Sequence, residues 1–561
     1  MSESGAIWQP LGPFGGPAEV VVTSPATPGL LFAGSPNSLL FRSDDHGRTW
    51  RHLPFPAELG SSLHALLPHP ANGQELLAGV SPDSGGSGLY RSADGGATWR
   101  PHDAFQGQAV WALTHFRGDP RILAAGAASG VHLSRDGGAT WQLISPPGSD
   151  DLRPTVSVAF DPNNAAIVYA GTPHLPWKTA DGGRTWQSIH TGMLDDSDVF
   201  SIDVDPDRPA RVFASACSGI YRSLNAGGLW TKLRGSADAS FRTYVIVRDP
   251  HTPNQVWAGT THGLMRSADG GVTWLTASRH SVKAIAFDVR QRGWMMLATR
   301  DAGLLTSADA KTFTAANQGY VNRGFFALAG ATPGRLLLAG ESGGVLHSAG
   351  GGGAWQALGG APPRRLLMLS ACAGGRVFGA GPGVLAAEAA GQTWRTLPPA
   401  PAPVRSIACL PAPSLVAASS RALFVSPDAG QSWRPLQSTL PASGVEWNQL
   451  ASDVSGATLL AATSHGLLRS SDAGARWEPA AGELGQATVS SVLFHPTRTA
   501  QAFAAQFDRV FASTDAGRSW RAVPARGLER AAVRALAILP DAPTRLFALV
   551  AGRGVFFLNL E

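Results

Sequence analysis

The stretch Arg91–Arg100 reads RSADGGATWR, and forty-two residues later Leu133–Gln142 reads LSRDGGATWQ. KTADGGRTWQ (Lys178–Gln187) and RSADGGVTWL (Arg266–Leu275) are further copies. With the tryptophan as the mark, the turn recurs at Trp50, Trp99, Trp141, Trp186, Trp230 and Trp274. It weakens through Phe313, Trp355 and Trp394 and recovers at Trp433, Trp477 and Trp520. The interval is 39 to 49 residues, and eleven of the seventeen tryptophans are used this way. A fixed period of that length signals a repeat architecture.

Each unit holds four short apolar runs, as in VSVAFDP, IVYAG, GIYRS and WQSIH, punctuated by Gly, Pro and Asp. Alternating runs of that length read as strands, and four of them make one small antiparallel sheet. Such a sheet cannot bury both faces alone, but a ring of them can. The expected fold is therefore all-β, built of propeller blades.

The repeated turn follows the pattern S/T-x-D-x-G-x-T/S-W, filled at every position by Ser92, Asp94, Gly96, Thr98 and Trp99. An aspartate can accept hydrogen bonds from turn amides further on, glycine tolerates positive φ, and tryptophan packs as a large plug. Asp45, Asp94, Asp136, Asp181, Asp269, Asp428, Asp472 and Asp515 are read as structural parts, since they repeat with the blade. Degenerate copies agree: Asn225 replaces the aspartate, and Gly350 and Ala389 carry no carboxylate.

The turn resembles the Asp-box of the BNR-like propeller superfamily. That superfamily includes sialidases, two-propeller xyloglucan-hydrolysing glucanases, sortilin-type receptors and the photosystem II assembly-factor group. The resemblance covers nearly the whole chain. In character it is similar to the assembly-factor group, and in a two-propeller layout to the glucanases.

Twelve marked turns and one composite blade made from the two chain ends give thirteen blades. Two rings of seven and six are favoured over one large ring. The most damaged turn, TSADAKTFTAANQG, marks the expected crossing between them. The expected domains are 1–308, seven-bladed and closed by the strand around Trp8, and 309–561, six-bladed, with a strand from Phe313 closing on the C-terminal three.

The 561 residues carry 44% apolar and 15% charged side chains, and a net charge of only +5 with no basic tract. That composition excludes a nucleic-acid arm and a disordered coat. Cys217, Cys372 and Cys409 stand far apart in apolar runs and read as three buried free thiols. No Cys/His spacing suggests zinc, and no cofactor is expected. No run of eighteen apolar residues suggests a membrane span. The start MSESGAIWQPLG has no secretory pattern, so the expected location is cytoplasmic by default, although related Asp-box proteins are often exported.

Binding residues are expected on the face opposite the boxes, where loops sit on a rigid scaffold. Counting six residues back from the proline that ends strand one, or from the matching position in blades without it, puts Glu19, His64, Trp111, Val156, Phe200, Tyr244 and Lys283 at one channel mouth. Phe326, Arg405, Trp447, Ser490 and Arg534 come at the other, with Arg364 and Arg365 nearby. The candidate binding set is Trp111, Tyr244, Lys283, Arg405, Trp447 and Arg534. The expected function is a non-catalytic binding or assembly scaffold for a protein or glycan partner. The alternative is a glycoside hydrolase acting on a β-glucan between two propellers. The glucanase resemblance implies an early catalytic aspartate, but Pro36 stands at that position. Asp301 and Glu341 are the only comparable carboxylates, and glycoside hydrolysis needs two.

Overall fold

The computed structural model describes residues 6–560 apart from 57–60, 83–84, 195–197, 236–240, 341–342, 360–364, 382, 389–392, 441–443, 485 and 529–530. Among the described residues there is no α-helix, only two three-residue 3-10 turns, Asp103–Phe105 and Ala373–Gly375. Apart from a short parallel pairing of Ala6–Ile7 with Ala525–Arg526, the described strands form thirteen sheets of four antiparallel strands, one of them extended by a short parallel fifth strand. These are the blades, numbered here in chain order by their first strand.

Two compact units divide them: Gly15–Asn322, and Met1–Phe14 together with Arg323–Glu561. The first unit holds blades 1 to 7, with first strands Val20–Thr23, Ser62–His69, Val110–Phe116, Ser157–Asp161, Val199–Val204, Thr243–Arg248 and Val282–Phe287. The second holds blades 8 to 13, with first strands Phe325–Ala331, Met368–Ala371, Ser406–Cys409, Trp447–Ser452, Ser491–Phe494 and Val533–Ile538. In each unit every first strand lies against the next, and the last lies against the first, so both are closed rings.

The closing strands are not those expected. Gln9–Gly12 pairs antiparallel with Gly554–Asn559, so the N-terminal strand completes blade 13 of the six-bladed ring. Trp8 is 3% exposed there, in a core with Leu528, Leu536 and Phe503. Blade 7 needs no outside strand, because Thr314–Ala315 pairs with Gly303–Ser307 in its own sheet. The damaged turn therefore does not release the chain. Asp309 still accepts from Ser307 (3.0 Å) and from the Lys311 and Thr312 amides (2.9 and 2.8 Å). The unit boundary falls at Asn322, not at residue 308.

The seven-bladed ring closes by a clasp. Just after blade 7, the Trp50 amide and indole donate to Gln318 O and Ala316 O, both at 2.8 Å. Gly15 N donates to Tyr320 O and Asn322 N to Gly15 O, each at 2.8 Å. Tyr320, fully buried, donates its hydroxyl to Pro17 O (2.7 Å).

The box itself is a closed hydrogen-bond circuit. Ser92 Oγ donates to Asp94 Oδ1 (2.8 Å) and accepts from Gly96 N (2.8 Å). Asp94 accepts from the Thr98 amide (2.9 Å) and hydroxyl (2.6 Å). The Ser/Thr-to-Asp bond recurs at Asp45, Asp136, Asp181, Asp269, Asp428, Asp472 and Asp515. Gly96 has φ +89°, a conformation that favours glycine, and a Cβ there would sit 2.6 Å from Leu53 Cδ1, so that side chain would have to shift. The Thr98 hydroxyl and amide hold the Asp94 carboxyl down at about 2. Asn225 keeps the amide bond (Leu229 N, 2.7 Å) without the charge. Ala389 lies outside the described residues.

The cysteines depart from expectation. Cys372 and Cys409 form a disulfide with their Cα atoms 5.7 Å apart, and Cys217 is free. Pairing across 37 residues and two blades is a tertiary event that spacing alone does not reveal.

Candidate binding mouths

In a sheet ordered 1-2-3-4, the start of strand one and the 2–3 loop share one end, opposite the box. The register there carries a repeated irregularity. Strand one carries one extra, unpaired residue in blades 2, 3, 5, 6, 7, 8, 11 and 13. The extra residues are His64, Trp111, Phe200, Tyr244, Lys283, Phe326, Asn448 and Arg534. A bulge re-aims its side chain out of the pleat, so each of these blades offers one residue to the mouth of its channel. Glu19, Val156, Leu367, Arg405 and Ser490 hold the matching place without a bulge, each donating its amide to the second strand.

Trp447 does not reach the mouth. It is 1% exposed and packs edge-on against Trp477 at 5.2 Å, inside the core. Blade 11 ends strand one with Asp453–Val454 instead of Asp–Pro, and six residues back from Val454 is Asn448. A slip of one residue exchanges the two faces of a strand. Asn448 takes the mouth and donates to Val489 O (2.8 Å).

The mouth of the seven-bladed ring is internally compensated. Lys283 Nζ lies 2.7 Å from Glu19 Oε1 and 4.0 Å from the Tyr244 ring centroid. Arg300 also lies over Tyr244 (5.3 Å), and Arg242 over Phe200 (5.7 Å). His64 donates to or accepts from Ser81 Oγ at 2.8 Å, and burial pushes its imidazole below the ordinary value, against the pull of Glu19. Trp111 is half-buried.

The six-bladed ring differs. A cavity of about 70 Å³ at its mouth draws on every blade, and its lining includes Phe326, Leu367, Arg405, Asn448, Ser490 and Arg534. Arg365 and Arg534 flank the Phe326 ring at 4.0 and 5.6 Å. Arg405 approaches Glu446 (3.4 Å), both side chains being largely exposed. Among the described residues neither Arg365 nor Arg534 has a carboxylate partner. Leu367, missed by sequence reasoning for want of a proline marker in blade 9, is 54% exposed at this collar.

Of the alternative carboxylates, Asp301 accepts from His280 Nδ1 (2.8 Å) and the Ser281 amide (3.2 Å), and Glu341 lies outside the described residues. Among the described residues no group of three His, Cys, Asp or Glu side chains could hold a metal ion. Among the described residues no helix is long and apolar enough to cross a membrane.

Repeat, box and sheet order together make this the fold of the Asp-box, BNR-like β-propeller superfamily. The family described as photosynthesis system II assembly factor YCF48 matches residues 115–361. None of the curated proteins matches the chain. Among solved structures, the GH74 xyloglucanase of Xanthomonas campestris is similar over 99% of this chain and 100% of its own, at 19% identity and a TM-score of 0.71. The GH74 enzyme of Niastella koreensis is similar over 98% and 99%, at 15% identity and a TM-score of 0.73. PorZ, a surface component of the type-IX secretion system of Porphyromonas gingivalis, is similar over 99% and 87%, at 12% identity and a TM-score of 0.59. Identities of this size speak to fold alone.

Proposed function

We propose that the chain is a non-catalytic binding scaffold that captures an acidic protein segment at the mouth of its six-bladed ring, on the end opposite the Asp-boxes. The observation that carries this is the collar of Phe326, Leu367, Arg405, Asn448, Ser490 and Arg534. It sets cations and apolar surface together, and among the described residues only Arg405 has a carboxylate neighbour, Glu446, while Arg365 and Arg534 have none. Guanidinium groups suit carboxylate recognition, being planar, permanently charged and weakly hydrated. Complementary charge gives such a mouth its specificity and association rate. The match to an assembly-factor family over 115–361 agrees with a scaffold role.

A glycoside hydrolase is the second reading, favoured by the full-length likeness to the two GH74 enzymes. Against it stand Pro36 at the position of the early aspartate and the engagement of Asp301 by His280 and Ser281. The two readings separate in one experiment. The protein is incubated with xyloglucan and, in parallel, used to capture partners from its source. Capture that weakens in Arg405→Ala/Arg534→Ala, with no new reducing ends, supports the scaffold. Cleavage lost in Asp301→Asn or Glu341→Gln would replace it with the hydrolase.

A further inference from the structure

At the box end of each first strand there is a slot between neighbouring blades. Between blades 5 and 6 it holds ions. Arg248, the last residue of its strand, reaches Asp205 (3.0 Å) and donates to Val204 O (2.9 Å). Desolvation pushes the Asp205 carboxyl up, but the Asp207 amide, Arg248 and Arg211 outweigh it and hold it low. Between blades 7 and 1, Thr23 takes Arg248's place and donates to Phe287 O (2.8 Å).

Between blades 9 and 10 the same slot holds the disulfide. Backbone hydrogen bonds fix the equivalence: Asp205 N donates to Arg211 O (3.0 Å) as Cys372 N does to Arg376 O (2.8 Å). Asp249 N, just after Arg248, donates to Gln255 O (2.9 Å) as Leu410 N, just after Cys409, does to Ser414 O (3.0 Å). Cys372 thus stands where Asp205 stands, and Cys409 where Arg248 stands. Blade 9 is also the blade whose box carries Ala389 in place of aspartate. Unlike the ion pair, this fastener can be opened chemically. Both cysteines are half-buried, and both line a cavity of about 380 Å³ at the box end of the six-bladed channel. A small molecule can reach a sulfur there without unfolding the ring.

We propose that Cys372–Cys409 is a thiol-exchange site at which a low-molecular-weight thiol opens and closes the seam between blades 9 and 10. A thiolate attacks one sulfur, the S–S bond breaks, and a mixed disulfide forms as the other cysteine leaves as thiolate. A second thiol attacks the mixed disulfide. Its sulfur forms the small-molecule disulfide, the second cysteine is released, and two protons complete the protein dithiol. Two electrons pass from two thiols to the protein, and the reverse sequence re-forms the bond.

The test uses the full chain in native buffer. The protein is exposed to glutathione or dithiothreitol without denaturant, alkylated, and mapped by mass spectrometry beside a melting curve. The expected result is alkylation of both Cys372 and Cys409 in protein that keeps its β circular dichroism spectrum. The transition of the six-bladed ring should fall by roughly 5–10 °C, the scale for losing one cross-link of this span in a unit of this size. Cys372→Ser/Cys409→Ser should melt like the reduced protein and ignore thiols. Alkylation only after denaturation, or alkylation with an unmoved transition, would overturn the proposal. So would an equal thiol response in the double variant. If that variant fails to fold, the native-state alkylation and melting of the wild type still decide.

Discussion

The two rings use one blade design and differ in closure and in the charge of their mouths. The six-bladed ring closes through backbone hydrogen bonds between Gln9–Gly12 and Gly554–Asn559, far apart in sequence. The seven-bladed ring builds all its blades from consecutive strands and clasps blade 1 with the segment through Tyr320. In the seven-bladed mouth Lys283 is matched by Glu19, whereas the six-bladed mouth leaves Arg365 and Arg534 stacked on Phe326 without a carboxylate among the described residues. The lesson is that a repeated scaffold can neutralise one mouth and charge another by changing a few residues at the entrance of strand one.

The largest expected effect tests the closures. Removing residues 1–12 strips the outer strand from blade 13 and exposes an edge, which invites aggregation. The six-bladed transition should be lost while the seven-bladed one remains, as differential scanning calorimetry would show. Loss of both, or of the seven-bladed one alone, breaks the comparison. Within the same closure, Trp8→Ala should cost about 3–5 kcal/mol, the usual scale for emptying a buried aromatic site.

The clasp is expected to be more modest. Tyr320→Phe removes one of the two donors to Pro17 O and leaves Asn322 Nδ2 (2.8 Å), so about 0.5–1.5 kcal/mol, the net scale of one hydrogen bond, should be lost from the seven-bladed ring only. A shift in the six-bladed transition would contradict the separate closures.

In the boxes the expected effects are of comparable size or smaller. Ser92 is buried and satisfies the Gly96 amide, so Ser92→Ala should cost about 1–3 kcal/mol. Asp94 is exposed, and Asp94→Ala should cost less than Ser92→Ala because solvent screens and replaces its bonds. The acid dependence has a definite sign. The folded carboxyl is held at about 2, below its ordinary 3.8, so its contribution is full above the ordinary value and fades as pH falls toward 2. Urea titrations at several pH values would show this slope shrink in Asp94→Asn. An unchanged slope would assign acid sensitivity elsewhere.

What the sequence revealed follows the range of the interactions. The box was legible because its donors and acceptors all lie within about one turn of chain, from Ser92 to Trp99. Mouth residues were legible wherever a proline anchored the strand, as at His64, Tyr244 and Arg534. Trp111, Lys283 and Phe326 lack that anchor and still hold the mouth, but in blade 11, where Val454 replaces the proline, the reading falls on Trp447, one residue short of Asn448. Closure was not legible, because the strand after Trp8 can complete any open blade edge and its choice rests on distant packing. The disulfide was hidden for the same reason: Cys372 and Cys409 meet only after two blades stand side by side.

The central claim concerns the collar of the six-bladed ring. Its most direct test is a titration of a poly-glutamate peptide onto wild type, Arg405→Ala/Arg534→Ala and Lys283→Ala, with melting temperatures recorded beside it. The account predicts at least about tenfold weaker binding in the double arginine variant, the loss expected for two anchors worth more than about 1 kcal/mol together. Lys283→Ala should bind like wild type, and the six-bladed ring should melt unchanged. Equal weakening in both variants, or none in either, would contradict it.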